Sequence, residues 1–255
     1  MIKKLTFLFL ILAVIGCSSD DSETSNTNLV LVKKITETIY YSGDEQTRIS
    51  HFTYQNNKLI GIDNGNGHHL QITYDGDKVV RSESYDADGP LSASDFTYNG
   101  SNLIKIQRVN NQEKVEYTYA DGNVRSISYY GRTNNEYQLL GIETFTFSNG
   151  NISQVINNNY QWDTSTSKTT YTYATGNNPF QDISIYLRLS LIFEGINPIN
   201  SNIALSSNYY SNLNDVLPSS VFRYETTYNT ANFPIEIKKY GETNNLITKT
   251  VFEYN

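Results

Sequence analysis

Polar and apolar positions alternate along most of this chain, and the alternation comes in copies. Phe52-Thr53-Tyr54 leads through a polar turn to Leu59-Ile60. Ile72-Thr73-Tyr74 leads through Asp75-Gly76-Asp77 to Val79-Val80, and Phe96-Thr97-Tyr98 through Asn99-Gly100 to Leu103-Ile104. Tyr117-Thr118-Tyr119 precedes Asp121-Gly122 and Val124, and Phe145-Thr146-Phe147 precedes Asn149-Gly150 and Ile152. Tyr171-Thr172-Tyr173 continues the series, and Thr226-Thr227-Tyr228 and Phe252-Glu253-Tyr254 are looser copies. Self-similarity at this spacing marks a repeat architecture. Aromatic-Thr-aromatic has period two, so both rings take one face of a strand and threonine the other. Asp-Gly and Asn-Gly supply the positive φ of a tight hairpin turn. The aliphatic residues after the turn begin the return strand.

Two strands per unit predict roughly fourteen to sixteen antiparallel strands. Leu70 to Tyr74 and Val115 to Tyr119 alternate cleanly, as in a sheet with one buried and one wet face. A meander this long curls, and closure removes its exposed edges. The expected fold is all-β: an antiparallel meander of repeated hairpins curled into a barrel or half-barrel, as a single domain over residues 29–255.

One segment departs from the pattern. Pro179 to Glu194 carries an alternating set (Ile183, Ile185, Leu187, Leu189, Leu191) and also a helical stripe (Phe180, Ile183, Leu187, Leu191). Asn178 as cap, Pro179 at the first turn and Gly195 at the stop favour a short helix over 179–194. Such a helix packs against or plugs the inside of the curl. Ile196 to Ser220 then reads as an extended Asn- and Ser-rich loop.

The amino terminus follows a different logic. Lys3 and Lys4 precede an apolar run from Leu5 to Ile15, too short to span a bilayer and suited to a signal peptide over residues 1–16. Val14-Ile15-Gly16-Cys17 resembles the recognition site of the lipoprotein signal peptidase. Cys17, the chain's sole cysteine, is thus the expected site of cleavage and acylation. Each buried methylene of an acyl chain contributes about 0.8 kcal/mol, so several chains hold a protein firmly to a membrane. Residues 17–28 form the acylated cysteine and its tether; Ser18 to Asn28 has no apolar residue with which to offset ordering entropy. Asp20-Asp21 resembles the surface-export signal of Bacteroidota lipoproteins, which places the protein at the outer membrane, on the cell surface rather than the periplasmic face.

Composition narrows the function. The full-chain charge of −7 becomes −9 once residues 1–16 are removed. That disfavours nucleic acid, whose affinity rests on cationic contacts with phosphate. An acylated Cys17 leaves no thiol for a disulfide, a zinc site or a nucleophile. Twenty-one tyrosines and eleven phenylalanines supply the core.

Catalytic chemistry finds little support. His68 and His69 are adjacent and would point to opposite faces of a strand, and His51 stands alone. Asp63 to Gly67 and Asp86 to Gly89 look like fragments of calcium loops without the later bidentate glutamate. Turn chemistry explains both, and no metal or cofactor is expected. Neither a Gly-x-Ser-x-Gly elbow nor a phosphate-binding Gly-Lys-Ser/Thr loop occurs. The chain reads as a non-enzyme.

The aromatic rows allow three uses. They fill the core, they line an apolar cavity, or exposed rings such as Tyr160, Trp162, Tyr209 and Tyr210 form a glycan surface. A barrel much larger than eight strands is not filled by wall side chains alone. The leading expectation is therefore a lipid or other apolar ligand held inside the curl. Its candidate lining is Tyr54, Tyr74, Tyr98, Tyr119, Tyr173, Phe180, Leu187 and Leu191. An adhesin or glycan-binding module, or a purely structural repeat domain, is the alternative.

The aromatic-Thr-Tyr-(Asp/Asn)-Gly-x-(Leu/Val) unit loosely resembles the tyrosine–aspartate repeats of Rhs-type proteins. The chain more closely resembles a family of uncharacterised Bacteroidota lipoproteins with a porin-like barrel fold. The likeness rests on the string of hairpins, Asn178-Pro179-Phe180 before a short helix, Leu217-Pro218-Ser219, and the closing Tyr-containing hairpin from Thr226 to Tyr254. It covers nearly all of the mature chain. It implies the fold and suggests lipid binding.

Overall fold

A computed structural model describes residues 29–41, 44–65, 67–109, 113–160, 165–191 and 198–255. The signal peptide, Cys17 and its tether, Trp162, and Phe193 to Gly195 lie outside the described residues. The first eight strands are β1 (Val32–Tyr40), β2 (Glu45–Gln55), β3 (Lys58–Asp63), β4 (His69–Asp75), β5 (Lys78–Asp86), β6 (Gly89–Asn99), β7 (Asn102–Val109) and β8 (Glu113–Ala120). Then come β9 (Asn123–Thr133), β10 (Glu136–Ser148), β11 (Asn151–Asn159) and β12 (Thr166–Asn177). After the single-turn helix α1 (Ile185–Arg188) follow β13 (Asn202–Tyr210), β14 (Ser220–Tyr228), β15 (Pro234–Tyr240) and β16 (Leu246–Tyr254). Each strand pairs antiparallel with its neighbours in sequence, and β1 closes on β16 to make a barrel of sixteen strands. Every strand and the closing seam lie within residues 29–255, so the barrel is complete in that stretch.

The repeat unit maps onto one end of the barrel. Its turns place Asn56, Asn57, Gly76, Gly100, Asp121, Gly122, Asn149 and Gly150 at positive φ, the conformation that Asn, Asp and Gly tolerate best. Both chain ends meet there: Val32 pairs with Tyr254, and the Asn255 N–H donates to the Leu31 carbonyl at 3.0 Å. Just inside this end the first aliphatic residue of each return strand is buried, as at Leu59, Val79, Leu103, Val124 and Ile152. The leading aromatic or Ile of each unit (Phe52, Ile72, Phe96, Tyr117, Phe145) is buried beside it, while the intervening threonines are exposed.

Each hairpin also carries a β-bulge at the same place. Thr53 pairs with Gly61 and Tyr54 with Leu59, which leaves Ile60 as the extra residue. The same slip recurs between Thr73 and Tyr74, Thr97 and Tyr98, Thr118 and Tyr119, Thr146 and Phe147, Thr172 and Tyr173, and Thr227 and Tyr228. A bulge bends and twists its strand. One bulge per hairpin distributes the curvature that closes the sheet.

Two expectations need correction. The helix over 179–194 shrinks to α1, preceded by two tight turns. The Asn178 side chain accepts the Phe180 N–H at 3.0 Å and so folds a local turn instead of capping a helix. The next bonds, Gln181 N–H to the Asn178 carbonyl and Ile183 N–H to the Phe180 carbonyl, span three residues, one short of the α-helical four. The helical stripe is nevertheless core: Phe180, Ile183, Leu187 and Leu191 are all buried. The second correction is in the predicted loop over 196–220, where Asn202–Tyr210 forms strand β13 between β12 and β14. Its Ser and Asn residues hide the strand because ladder bonds come from backbone groups, which barrel closure obliges to pair.

Candidate functional site

Residues 178–191 and 198–201 fill the tight-turn end of the barrel. They are tied to the wall on several sides. The Val30 N–H donates to Asp182 Oδ2 at 3.0 Å, and the Tyr186 hydroxyl donates to the Ser101 carbonyl. Asn200 Oδ1 accepts the Ile152 N–H at 2.8 Å, and the Ser201 hydroxyl donates to the Gly150 carbonyl at 3.0 Å. The Phe180 ring lies 6.2 Å from that of Phe52. Asn178 and Asn200, both buried, are thus structural groups whose bonds orient the plug.

Above the plug the lumen is incompletely filled. A cavity of about 550 Å³ runs from the plug between β9, β10 and β12 through β15. Its floor includes Arg188, Leu191 and Ile199; its wall carries Tyr129, Tyr171, Tyr209, Tyr224, Phe222 and the aliphatic Ile127 and Ile203. Among the described residues, its charged groups are Glu143, Arg188 and Lys239. The volume falls in the range of small-molecule sites, about 300–1,000 Å³.

Burial sets the electrostatics of this cavity. The Glu143 carboxyl is held above its ordinary value of 4.5 by desolvation, against the Tyr129 hydroxyl, which donates to its Oε2 at 3.1 Å. Burial, then the nearby tyrosine Tyr224 and Glu143, push the Tyr171 hydroxyl up to about 12. Arg188 is pulled below its ordinary value by desolvation, with Asp182 opposing. Its Nη1 donates to the Pro198 carbonyl at 3.2 Å, and its buried Nε has no partner among the described residues. The Lys239 ammonium lies 4.4 Å from the centroid of the Phe222 ring. Ser207 and Tyr224 share a hydroxyl–hydroxyl bond at 3.2 Å in the wall.

The residues singled out from sequence divide sharply. Leu191 lines the cavity; Phe180 and Leu187 are packed beneath it in the plug, fully buried. The repeat tyrosines lie elsewhere, in the bulged ends of the hairpins. Tyr74 donates its hydroxyl to the Leu59 carbonyl at 2.9 Å, Tyr98 to Val79 at 2.7 Å, Tyr119 to Leu103 at 2.8 Å and Tyr173 to Ile152 at 2.7 Å. Tyr254 repeats the bond to Pro234 at 2.6 Å. The Tyr54 hydroxyl is buried with no partner among the described residues. The acceptor in each case is the first or second residue of the preceding return strand, where the bulge opens the ladder. Of the proposed glycan residues, Tyr209 lines the cavity and remains 38% exposed, and Tyr160 is 47% exposed. Tyr210 lies under the Lys168 ammonium at 4.2 Å.

Sequence reasoning missed Tyr129, Glu143, Arg188, Phe222, Tyr224 and Lys239. The period-two rule places each wall residue on the inner face once the register is known, but that register depends on bulges. The histidines and acidic turns have local explanations: His69 stacks on Tyr85 at 4.7 Å, Asp63 Oδ1 accepts the Gly65 N–H, and Asp86 Oδ1 accepts those of Asp88 and Gly89.

The outer face of the barrel is polar. Besides the exposed threonines it bears ion pairs: Arg81 with Glu83 and Asp95, Lys34 with Glu253, Arg223 with Glu225, and Glu236 between Lys238 and Lys249. A membrane-spanning barrel alternates apolar-out and polar-in. Here the described wall carries the reverse order, polar outward and apolar inward.

No protein-family model matches the chain, and no curated protein is significantly similar to it in sequence. Solved structures do share its fold. A porin-like protein from Bacteroides uniformis ATCC 8492 superposes with a TM-score of 0.59 at 12% identity, covering 88% of this chain and 98% of the other. A porin-like protein from Bacteroides vulgatus ATCC 8482 reaches a TM-score of 0.48 at 13% identity, covering 89% and 99%. The first likeness supports the closed, all-antiparallel barrel as a known architecture.

Proposed function

We propose that this chain is a lipid-anchored, non-catalytic binding protein of the outer membrane whose barrel lumen holds a lipid or another largely apolar ligand. The cavity between plug and wall carries this reading: it is walled by tyrosine, phenylalanine and aliphatic side chains inside a barrel whose outside is polar. Such a molecule keeps its apolar surface for an occupant. The water-facing wall needs another route to the membrane, and acylation at Cys17 supplies one. Since the chain enters the barrel at the plugged end, the tether would set that end toward the bilayer. Glycoside hydrolysis needs two carboxyl groups across the site; among the described residues that line the cavity, Glu143 is the one carboxylate, and it is paired with a tyrosine. The binding residues under this reading are those of the cavity rather than the repeat tyrosines, whose hydroxyls are mostly committed to the wall.

The test is mass spectrometry of the chain lacking residues 1–17, prepared without detergent and compared before and after organic extraction. A stoichiometric lipid released by extraction is the expected result. A bare protein that also takes up nothing from a total lipid extract would overturn the reading. The exposed rings of Tyr160 and Tyr209 would then direct attention to glycans.

A further inference from the structure

We infer that the cavity selects an amphipathic ligand with an anionic end group, a carboxylate or a phosphate, read by Arg188 on the floor and Lys239 on the wall. This rests on the reading of the cavity as a ligand site and adds the chemistry of its ligand. The inference starts from a contrast in charge. The chain as a whole is at −7, with 26 acidic against 19 basic residues. The cavity reverses that balance: among its described lining residues two are cations and one is a carboxylate. The carboxylate, Glu143, is engaged by the Tyr129 hydroxyl, and its desolvation, the larger effect, favours the neutral form against that hydrogen bond.

Arg188 differs from the cations of the outer wall. Many outer lysines and arginines are partly exposed and face a carboxylate, as Arg81 faces Asp95 at 2.8 Å. Arg188 makes its described hydrogen bond to a backbone carbonyl, and its Nε lacks a partner among the described residues. Asp182 attracts it electrostatically, but that carboxylate is engaged by the Val30 N–H. An unpaired, buried guanidinium nitrogen is costly to the folded protein. Nε itself is enclosed, but the part of the guanidinium group that lines the cavity would give an anion there a charge-assisted hydrogen bond, about twice as strong as a neutral one. Lys239 sits on the opposite element, β15, with its ammonium against the Phe222 ring. The remainder of the lining, Tyr171, Tyr224, Ile203 and Leu191 among it, suits an alkyl or isoprenoid body.

The experiment is calorimetric titration of the chain lacking residues 1–17 with four probes that share one tail and differ in the head: decanoate, decyl phosphate, decanol and decylamine, each below its micellar concentration. At least one anion should bind about tenfold tighter than decanol, a difference of about 1.4 kcal/mol, with decylamine weakest. Which anion is tighter identifies the head group. Arg188→Gln and Lys239→Gln should each weaken the tighter anion more than decanol and so reduce that margin, and Arg188→Lys should retain part of it. An unchanged urea-unfolding midpoint reports that the plug of the Arg188 variant is still folded; Lys239→Gln tests the same idea away from the plug. Equal affinity for all four probes, or preference for the amine, would overturn the inference while the cavity remained a ligand site. Failure of all four to bind would remove the reading beneath it.

Discussion

A bulge leaves a strand's backbone short of partners, and in this protein a tyrosine from the next strand supplies one. The Tyr98 hydroxyl donates to the Val79 carbonyl at 2.7 Å and is partly buried. Tyr98→Phe removes the donor and leaves the carbonyl inside, so the expected loss is about 1–2 kcal/mol. Tyr54 occupies the same place in its own unit, yet its buried hydroxyl has no partner among the described residues. Tyr54→Phe should therefore be neutral or stabilising, since a buried unpaired hydroxyl costs free energy. Urea unfolding with an unchanged m-value checks both. Two equal losses would show that these hydroxyls act through something other than the bulge carbonyls. The sequence displays every one of these tyrosines, because the aromatic-Thr-aromatic spacing repeats. The acceptor was not legible: an aliphatic pair such as Leu59-Ile60 does not announce that one member goes in and the other is the bulge. The tyrosines consequently read as candidate ligand contacts, when their spacing records a structural bond.

At the scale of elements, the plug decides what the barrel can hold. Sixteen strands enclose more space than their own side chains fill. Residues 178–191 and 198–201 take up that space at one end and supply the floor of the cavity. The plug's apolar stripe was legible from Phe180, Ile183, Leu187 and Leu191, and so was its inward position. Its conformation was not, because the residues that suggest a cap, Asn178 and Pro179, serve a tight turn equally well. Strand β13 was hidden for the converse reason: its pairing answers the backbone needs of β12 and β14, and nothing in Asn202 to Tyr210 demands burial as strongly. Leu187 tests whether the plug contributes to stability or merely fills space. It is fully buried, whereas Ile185, two residues earlier, is 37% exposed. Leu187→Ala should cost about 2–5 kcal/mol and Ile185→Ala under about 1 kcal/mol. Denaturant unfolding monitored by tyrosine fluorescence measures the difference. A small loss at Leu187 would mean that the barrel is stable with its end open, and the plug would then be free to move.

For the molecule as a whole, the strand number and the polarity of the wall point in different directions. Sixteen antiparallel strands in a closed ring also build membrane pores. A pore, however, needs an apolar outer band. In this barrel the outward positions carry threonines and the ion pairs of Arg81, Arg223 and Glu236, while Phe52, Phe96 and Phe145 point inward. A lysine or arginine on a lipid-facing wall costs about 2–4 kcal/mol at the bilayer midplane, and several such charges in one barrel exceed the stability of an ordinary domain. The plug closes one end against a through-channel as well. The chain lacking residues 1–17 should therefore be soluble without detergent, remain with the aqueous phase on detergent partitioning, and stay at the bottom of a flotation gradient with phospholipid vesicles. It should add no conductance to a planar bilayer. The full-length protein processed in cells should float, and Cys17→Ala should abolish that. Flotation of the truncated barrel would mean that the wall itself meets lipid, against its polarity. Release of the Cys17→Ala protein together with a water-soluble truncated barrel would assign membrane attachment to the tether alone, and leave the wall, the plug and the cavity as parts of a binding protein that works in water.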